Sequence, residues 1–572
     1  MSQLTDERVI AISVFLVFLA GSLFLSMLTS PDLQDGADDF YAWHSSLPGT
    51  GNQIAPPSAM RQGLALTADF LSAAGVLYLC GVVATASYDG VLLVAATALS
   101  PLLLKVWLAE RLPAGPGWSL GDILARYLTP GPARLAAGVA TLVVSLPLLV
   151  AQLIPIGQIT AALMGLPEDQ GEMAGIALVG VLILSCAAIG GVRGSTLLQI
   201  VKTAVLVLIG PLLAMAVLAS FDWDYGAVLA RAAQGSGTGE GYLAHGHLFG
   251  TGLTGRLDTL SLAVTLLLGT AFLPHLLMRL STSRTAETAR RAGSWAVSTI
   301  CVLCAAAVVV GYGIQALVGA EGLRGAGPHG GDNLLLVAAA LNGGDPGSPD
   351  NPGTLLTFVC CTAFLAVLAS ASVLLLSGSA AIVHDMGRRR NSPSGQSVTH
   401  RPRQARLAMT AVGAVCISLA VLGRHAGAQF WLTVAYTEAA TVVLPALAYS
   451  LLWRDFTVRG LRWCVYGGTL VALTLLALSP AVSGGPHALW PDADWNLVPL
   501  HSPGLITVPA AFLLGWAGTR LPTPLLQRRS AAEPQAGPQQ AAEHEDLLAG
   551  SGSGRARGSA SGPGSGAGTR RD

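Results

Sequence analysis

The sequence predicts an all-α integral membrane protein, and three observations carry that prediction. Of 572 residues, 52% are apolar and only 11% charged, where a soluble chain carries about 25% charged. Mean hydropathy is +0.58. The apolar residues are gathered into stretches of about 20, the length a helix needs to cross ~30 Å of hydrocarbon. A soluble chain of this size with so few charges could not cover its surface, and lipid around most of it removes that need. Basic and acidic residues balance at 32 each, so no excess positive charge points to a nucleic-acid partner.

Thirteen candidate spans follow one another along the chain: 9–29, 64–87, 91–109, 135–164, 173–192, 197–219, 258–278, 294–318, 354–383, 407–423, 427–452, 463–482 and 504–521. Glycine and proline inside several of them are tolerated where neighbouring helices satisfy the backbone. The first span follows a single basic residue, Arg8, and no A-x-A site comes after it. It reads as a retained anchor over 1–29 rather than a cleaved signal. An acidic loop over 30–60 leads to the main helical region over 61–452. Two further spans lie within 453–526, and a Gly/Ser/Ala/Gln-rich tail over 527–572 is expected to be disordered and passive.

Positive charge orients the chain. With the N-terminus outside, the outer segments hold only Arg8, Arg231, Arg256, Arg324 and Arg424, and the other 27 basic residues fall inside. That bias predicts a multi-pass plasma-membrane protein with a cytoplasmic C-terminus. Asp32, Asp35, Asp38 and Asp39 in the first inner loop do not oppose it, because acidic residues weigh little. All eight cysteines lie in apolar stretches and read as small core hydrophobes; Cys301-x-x-Cys304 has no second pair for zinc. Residues 250–255, GTGLTG, match a dinucleotide fingerprint in letters only, with no βαβ unit around them. His245 and His247 have no third ligand nearby and read as solvent-exposed. No P-loop, metalloprotease helix or nucleophile elbow appears, so neither an enzyme nor an ATP-driven pump is expected.

Polar groups inside spans are the candidate functional residues, since an ionisable side chain there costs about 2.5–3.5 kcal/mol on insertion scales. The stretch GLALTADFLSAAGVLYLCG combines Thr67, Asp69 and Ser72 with Gly63, Gly75 and Gly81. Its glycines suit close packing or a local break that frees backbone carbonyls. Asp69 lies about 9 Å in from Gly63 at 1.5 Å per residue, so it reads either as a buried functional carboxylate or as one that hydrates at the inner end. The stretch VLASASVLLLSGSAAIVHD supplies Ser370, Ser372, Ser377 and Ser379, hard oxygen donors for an alkali cation or simply small residues at a helix contact. FWLTVAYTEAATVVLP places Tyr436 and Glu438 far from either end. A mid-span Glu pairs, faces a cavity or is protonated, which suits a proton carrier as well as an ion ligand.

These stretches resemble the sodium:solute symporter family, and within it the cation/acetate symporter branch. The match rests on GLALTADFLSAAGVLYLCG with Ser87–Val91, on GTAFLPHLLMRLST followed by ETARRAG, and on VLASASVLLLSGSAAIVHD, with LPH-x-LMR the most distinctive string. The resemblance implies a core of two inverted five-helix repeats, with binding sites at the midplane beside broken helices. It further implies a sodium ion between the second and ninth spans, held by backbone carbonyls at Ala68, Leu71 and Ala366 and by a hydroxyl at Ser370. Ala369 departs from that pattern, since many sodium-coupled relatives carry a second hydroxyl there. Glu438 is a second departure, and together they leave room for proton coupling. No other cofactor is implied.

For an acetate-sized anion, positive partial charge at a broken helix matters more than a large pocket. Gly269 and Pro274 suggest such a break in the seventh span, with Thr270 inside it, and Gln152 is another candidate donor. His275 and Arg279 sit one turn apart, with Arg279 read as at least equally an inner-surface anchor. The expectation is a secondary active symporter taking in a small monocarboxylate with a cation, sodium by the resemblance and a proton as the alternative. The rivals are the same fold carrying proline, a sugar or a vitamin, and a transporter-like sensor.

Overall fold

The computed structural model describes residues 58–109, 119–164, 168–325, 354–387, 402–485 and 488–521, apart from single positions in and between these ranges. The expected anchor over 9–29, except for a few helical positions from Ser13 to Phe24, most of the loop over 30–60, and the tail over 527–572 lie outside the described residues.

Helix α1 (Ala59–Phe70) starts at Ser58, whose hydroxyl accepts from the Arg61 N–H. It ends where Leu71 turns extended, with φ −98° and ψ 91°. Ser72 then caps α2 (Ala73–Ala86) by accepting the Gly75 N–H at 3.0 Å. The two halves meet at 60°. The break therefore falls at a leucine and a serine rather than at the glycines, and the local reason is Ser72, a residue whose hydroxyl favours starting a helix over continuing one.

Helix α3 (Tyr88–Leu103) contains Pro101 and runs into a π turn over Leu104–Leu108. A short α4 (Leu120–Leu124) is closed by a reciprocal cap between Ser119 and Asp122. Helix α5 (Pro130–Met164) is long and carries Pro147 and Pro155 inside. Helix α6 (Glu168–Ala219) makes two spans of one continuous run, kinked at Gly191 (φ 53°, ψ −153°), a backbone conformation that favours glycine. Outside these spans lies α7 (Tyr225–Gly235).

A second broken span pairs α8 (Leu253–Ala271) with α9 (Pro274–Ser281). Helices α10 (Ala286–Gly325) and α11 (Thr354–Ala380) follow, α11 ending in a π turn over Ala381–Asp385. Then come α12 (Pro402–Leu422), α13 (Gly427–Glu438) with a π turn over Ala439–Val443, and α14 (Leu444–Leu452). Helices α15 (Val458–Arg462), α16 (Gly468–Ala477) and α17 (Gly504–Arg520) complete the described chain.

Among the described residues, ten helices are long and apolar enough to cross a membrane, and the bent α1–α2 pair makes eleven. Helix α17 has 17 residues, about 25 Å at 1.5 Å per residue, a little short of the ~30 Å core. The spans differ in where they sit. The most apolar window of α11 is 94% buried, against 28% for the second half of α6. Helix α11 is thus the centre of the bundle, and α6 turns Leu208, Leu212 and Met215 outward, as a lipid-facing helix does. The cysteines are buried as expected with one correction: Cys301 is exposed, on the outer face of α10.

Candidate functional site

The first N–H groups of any helix lack partners within it, and α2 begins in the middle of the bundle. There the Gly75 N–H goes to Ser72 Oγ, and the Ala74 N–H goes to Gln152 Oε1 at 3.3 Å. Gln152 reaches across from α5, is fully buried, and donates its amide to Leu148 O at 3.4 Å. A Cβ on Gly75 would lie 3.0 Å from Ser72 Oγ and 3.7 Å from the Tyr436 hydroxyl. Ser72, Gln152 and Tyr436 thus converge on a helix start that carries about half a positive charge, over a position kept bare by glycine. A carboxylate is the group such a cradle suits.

On the other side of the break lies a cluster of charges. Asp69 is not a hydrated end group: its carboxylate is fully buried, and Arg279 of α9 grips it through Nε and Nη2. Arg279 also donates to Thr196 Oγ1 at 3.3 Å, so the reading of it as a surface anchor is corrected as well. Gln199 Nε2 donates to Asp69 Oδ1 at 2.7 Å and to Ala369 O at 3.3 Å. His275 Nε2 lies 3.4 Å from Asp69 O. Lys202 completes the group. Its ammonium donates to Ala68 O at 2.7 Å and to Ser370 Oγ at 2.7 Å, with the side chain buried.

Two of the four residues expected around sodium, Ala68 and Ser370, are therefore brought together, and Lys202 Nζ is what joins them. Leu71 lies at the break itself. Ala366 lines an apolar crevice bounded by Ala73, Leu206, Ala307 and Thr362. Ser372 bonds Leu368 O of its own helix at 2.7 Å. A second cation within about 3 Å of the Lys202 ammonium would meet roughly 5 kcal/mol of repulsion at an effective dielectric of ~20.

Two expected positions have other roles, and a third stands apart from both clusters. Gly269 is not the break: a Cβ there would lie closer than van der Waals contact to the Tyr436 carbonyl, so the glycine lets α8 approach α13. The chain breaks instead at Phe272 and Leu273, just before Pro274. Thr270 is turned to Ser100 Oγ and Leu266 O, each at 2.6 Å, and so ties α8 to α3. Glu438 is buried beside Thr469 of α16, and its carboxyl hydrogen-bonds nothing in either cluster.

Lys202 and Gln199 were not legible as site residues. Lys202 passes for one more basic residue near the inner end of its span, although a lone lysine within QIVKTAVLVL is itself a signal. His245 and His247 are exposed, as expected, and among the described residues no His/Cys/Asp/Glu group could hold a metal ion. The glycines of 250–255 lead straight into α8 with no strand before them.

The whole chain can be placed among known proteins. It is 32% identical over 564 residues to a monocarboxylic acid transporter of Corynebacterium glutamicum, covering 95% of this chain and 98% of that one. It is 30% identical over 512 residues to an uncharacterised symporter of Bacillus subtilis, covering 89% and 94%. Among solved structures it matches a Na+-coupled sialic acid symporter captured substrate-bound and outward-open, with TM-score 0.62 and 14% identity over 90% of this chain and 98% of that one. That likeness shows a shared all-helical transporter fold. The Sodium:solute symporter family profile matches residues 58–468. The chain belongs to the sodium:solute symporter family, as a multi-pass membrane transporter and not an enzyme.

Proposed function

We propose that the chain is a secondary active symporter that imports a small monocarboxylate of acetate's size together with a cation. The observation that carries this reading is the start of α2, where Ser72, Gln152 and Tyr436 surround buried N–H groups over the bare Gly75. A carboxylate favours positive potential, which this helix end supplies, and the Ser72 and Tyr436 hydroxyls beside Gly75 can donate to it. The charge cluster next to it supports the same reading. Arg279 pairs with the Asp69 carboxylate, and Lys202 lies on the Ala68 carbonyl next to it, so a monoanion entering the break would meet a basic group. The 32% identity with a transporter named for monocarboxylic acids, over nearly the full length of both chains, agrees.

Substrate and cation are coupled when each favours the same closed state by contacts it lacks in the open ones. The break between α1 and α2 is where substrate contact and closure meet, because one short segment, Ala68 to Gly75, carries both the carbonyl that Lys202 ties to α11 and the helix start proposed for the carboxylate. The test is uptake of labelled acetate by cells producing the full chain, challenged with unlabelled competitors. Propionate and pyruvate should compete strongly, and proline and glucose should not. Displacement by proline or glucose but not by monocarboxylates would replace this substrate class with another.

A further inference from the structure

We infer that the Lys202 ammonium is a tethered cation standing where a sodium ion would lie between α1 and α11, so that transport neither binds nor requires sodium at this position. The inference rests on the symporter reading above for its transport consequence, but its structural content is independent of which substrate is carried.

The oxygens at Ala68, Ser370, Ala369, Ser372 and Asp69 that crowd this position each have a partner. Ala68 O and Ser370 Oγ both accept from Lys202 Nζ at 2.7 Å. Ala369 offers no side-chain oxygen, and its carbonyl accepts from Gln199. The Ser372 hydroxyl is spent on Leu368 O. The Asp69 carboxylate is held by Arg279 and Gln199. A free metal ion would have to displace an ammonium already bonded to two of these oxygens, and that ammonium is anchored. One residue along α6, Thr203 Oγ1 donates to Leu64 O at 2.8 Å and fixes the register of α6 against α1.

The chemistry of the replacement is close. An ammonium is a compact point charge with three donors on a flexible stem, and it bridges α1 and α11 through the same kind of hard oxygen an alkali cation uses. It differs in one respect: it cannot leave with the substrate. A cation that stays behind can shape the closed state but cannot draw work from its own concentration gradient. A sodium gradient can then do no work through this position.

The purified full-length chain in detergent tests this directly, by its melting temperature in sodium, lithium, potassium and choline chloride at matched ionic strength. The wild type should melt at the same temperature in all four salts. Lys202→Ala, which frees Ala68 O and Ser370 Oγ, should gain a stabilisation specific to sodium or lithium. Should Lys202→Ala not fold, Lys202→Ser is the same test with one more oxygen. In proteoliposomes, acetate uptake by the wild type should be unchanged when sodium is replaced by choline. A sodium-specific rise in wild-type melting temperature, a several-fold loss of uptake without sodium, or a lysine-free variant indifferent to sodium would each overturn the inference. Absence of acetate uptake in every salt would instead count against the monocarboxylate reading, and the melting series would still decide the role of Lys202.

Discussion

Asp69 sits at the residue where the account is most exposed to test. Its carboxylate is buried and held by Arg279, which comes from a helix 210 positions away in sequence. Removing one partner of a buried ion pair leaves an uncompensated charge and costs about 3–5 kcal/mol, whereas removing both costs far less. Arg279→Gln alone should therefore lower the melting temperature sharply or abolish expression, and the double variant Asp69→Asn with Arg279→Gln should recover most of the loss. A double-mutant cycle on detergent-purified protein reads the coupling, and strictly additive losses would show that the pair does not act as a unit. Gln152 makes a different prediction. Its Oε1 occupies the Ala74 N–H at the start of α2, so Gln152→Leu frees that donor and should lower the half-saturating acetate concentration about 5- to 10-fold, the effect of one hydrogen bond of ~1–1.4 kcal/mol. An unchanged half-saturation would move the carboxylate away from this helix end. At this scale the sequence was partly legible. Asp69, Ser72, Gln152 and Ser370 announce themselves as polar groups in apolar runs. Lys202 and Gln199 do not, because their meaning lies in partners at Ala68, Asp69 and Ser370, some 130–170 positions distant.

At the scale of elements, two broken spans organise the site, and each breaks for a reason that glycine count alone does not give. The α1–α2 break falls at Leu71–Ser72 because a serine cap competes with helix continuation. The α8–α9 break falls at Phe272–Leu273 because Pro274 follows. The glycines instead mark close approach: Gly63 lies against Trp295 and the Ala292 carbonyl of α10, and Gly269 against the Tyr436 carbonyl. Gly269→Ala should therefore act by overpacking, with about 1–3 kcal/mol of destabilisation and a lower melting temperature, while the folded fraction keeps its affinity for substrate. A pure loss of affinity with unchanged melting would return Gly269 to the binding site. A further cluster locks three elements together away from the breaks. Asp122 of α4 pairs with Arg134 of α5 at 2.5 Å and with His384 beyond α11 at 3.0 Å, and Ser119 donates to Asp385 at 2.6 Å. Arg134→Met leaves Asp122 with less opposing charge and should loosen α4, which hydrogen exchange over Ser119–Leu124 would report as faster exchange than in the wild type. The sequence showed Asp385 at the end of its span but could not show what it meets, since α4 is only five residues long and has no periodicity to read.

At the scale of the whole molecule, the class was legible from composition, because so apolar a chain with so few charges has lipid as its only workable surroundings. The span count was nearly so: eleven spans are recovered among the described residues, and α17 has the expected place but only 17 residues. Substrate chemistry is least legible at this scale, since one fold serves many solutes and a handful of contacts decides between them. The central claim is that the chain performs concentrative symport of a small monocarboxylate. The most direct measurement is the accumulation of labelled acetate in liposomes containing the purified chain, with an ion gradient imposed and then collapsed by an ionophore. Internal acetate should rise above the external concentration while the gradient lasts and drain when it is collapsed. Uptake that only ever equilibrates, or no uptake under any gradient, would contradict it.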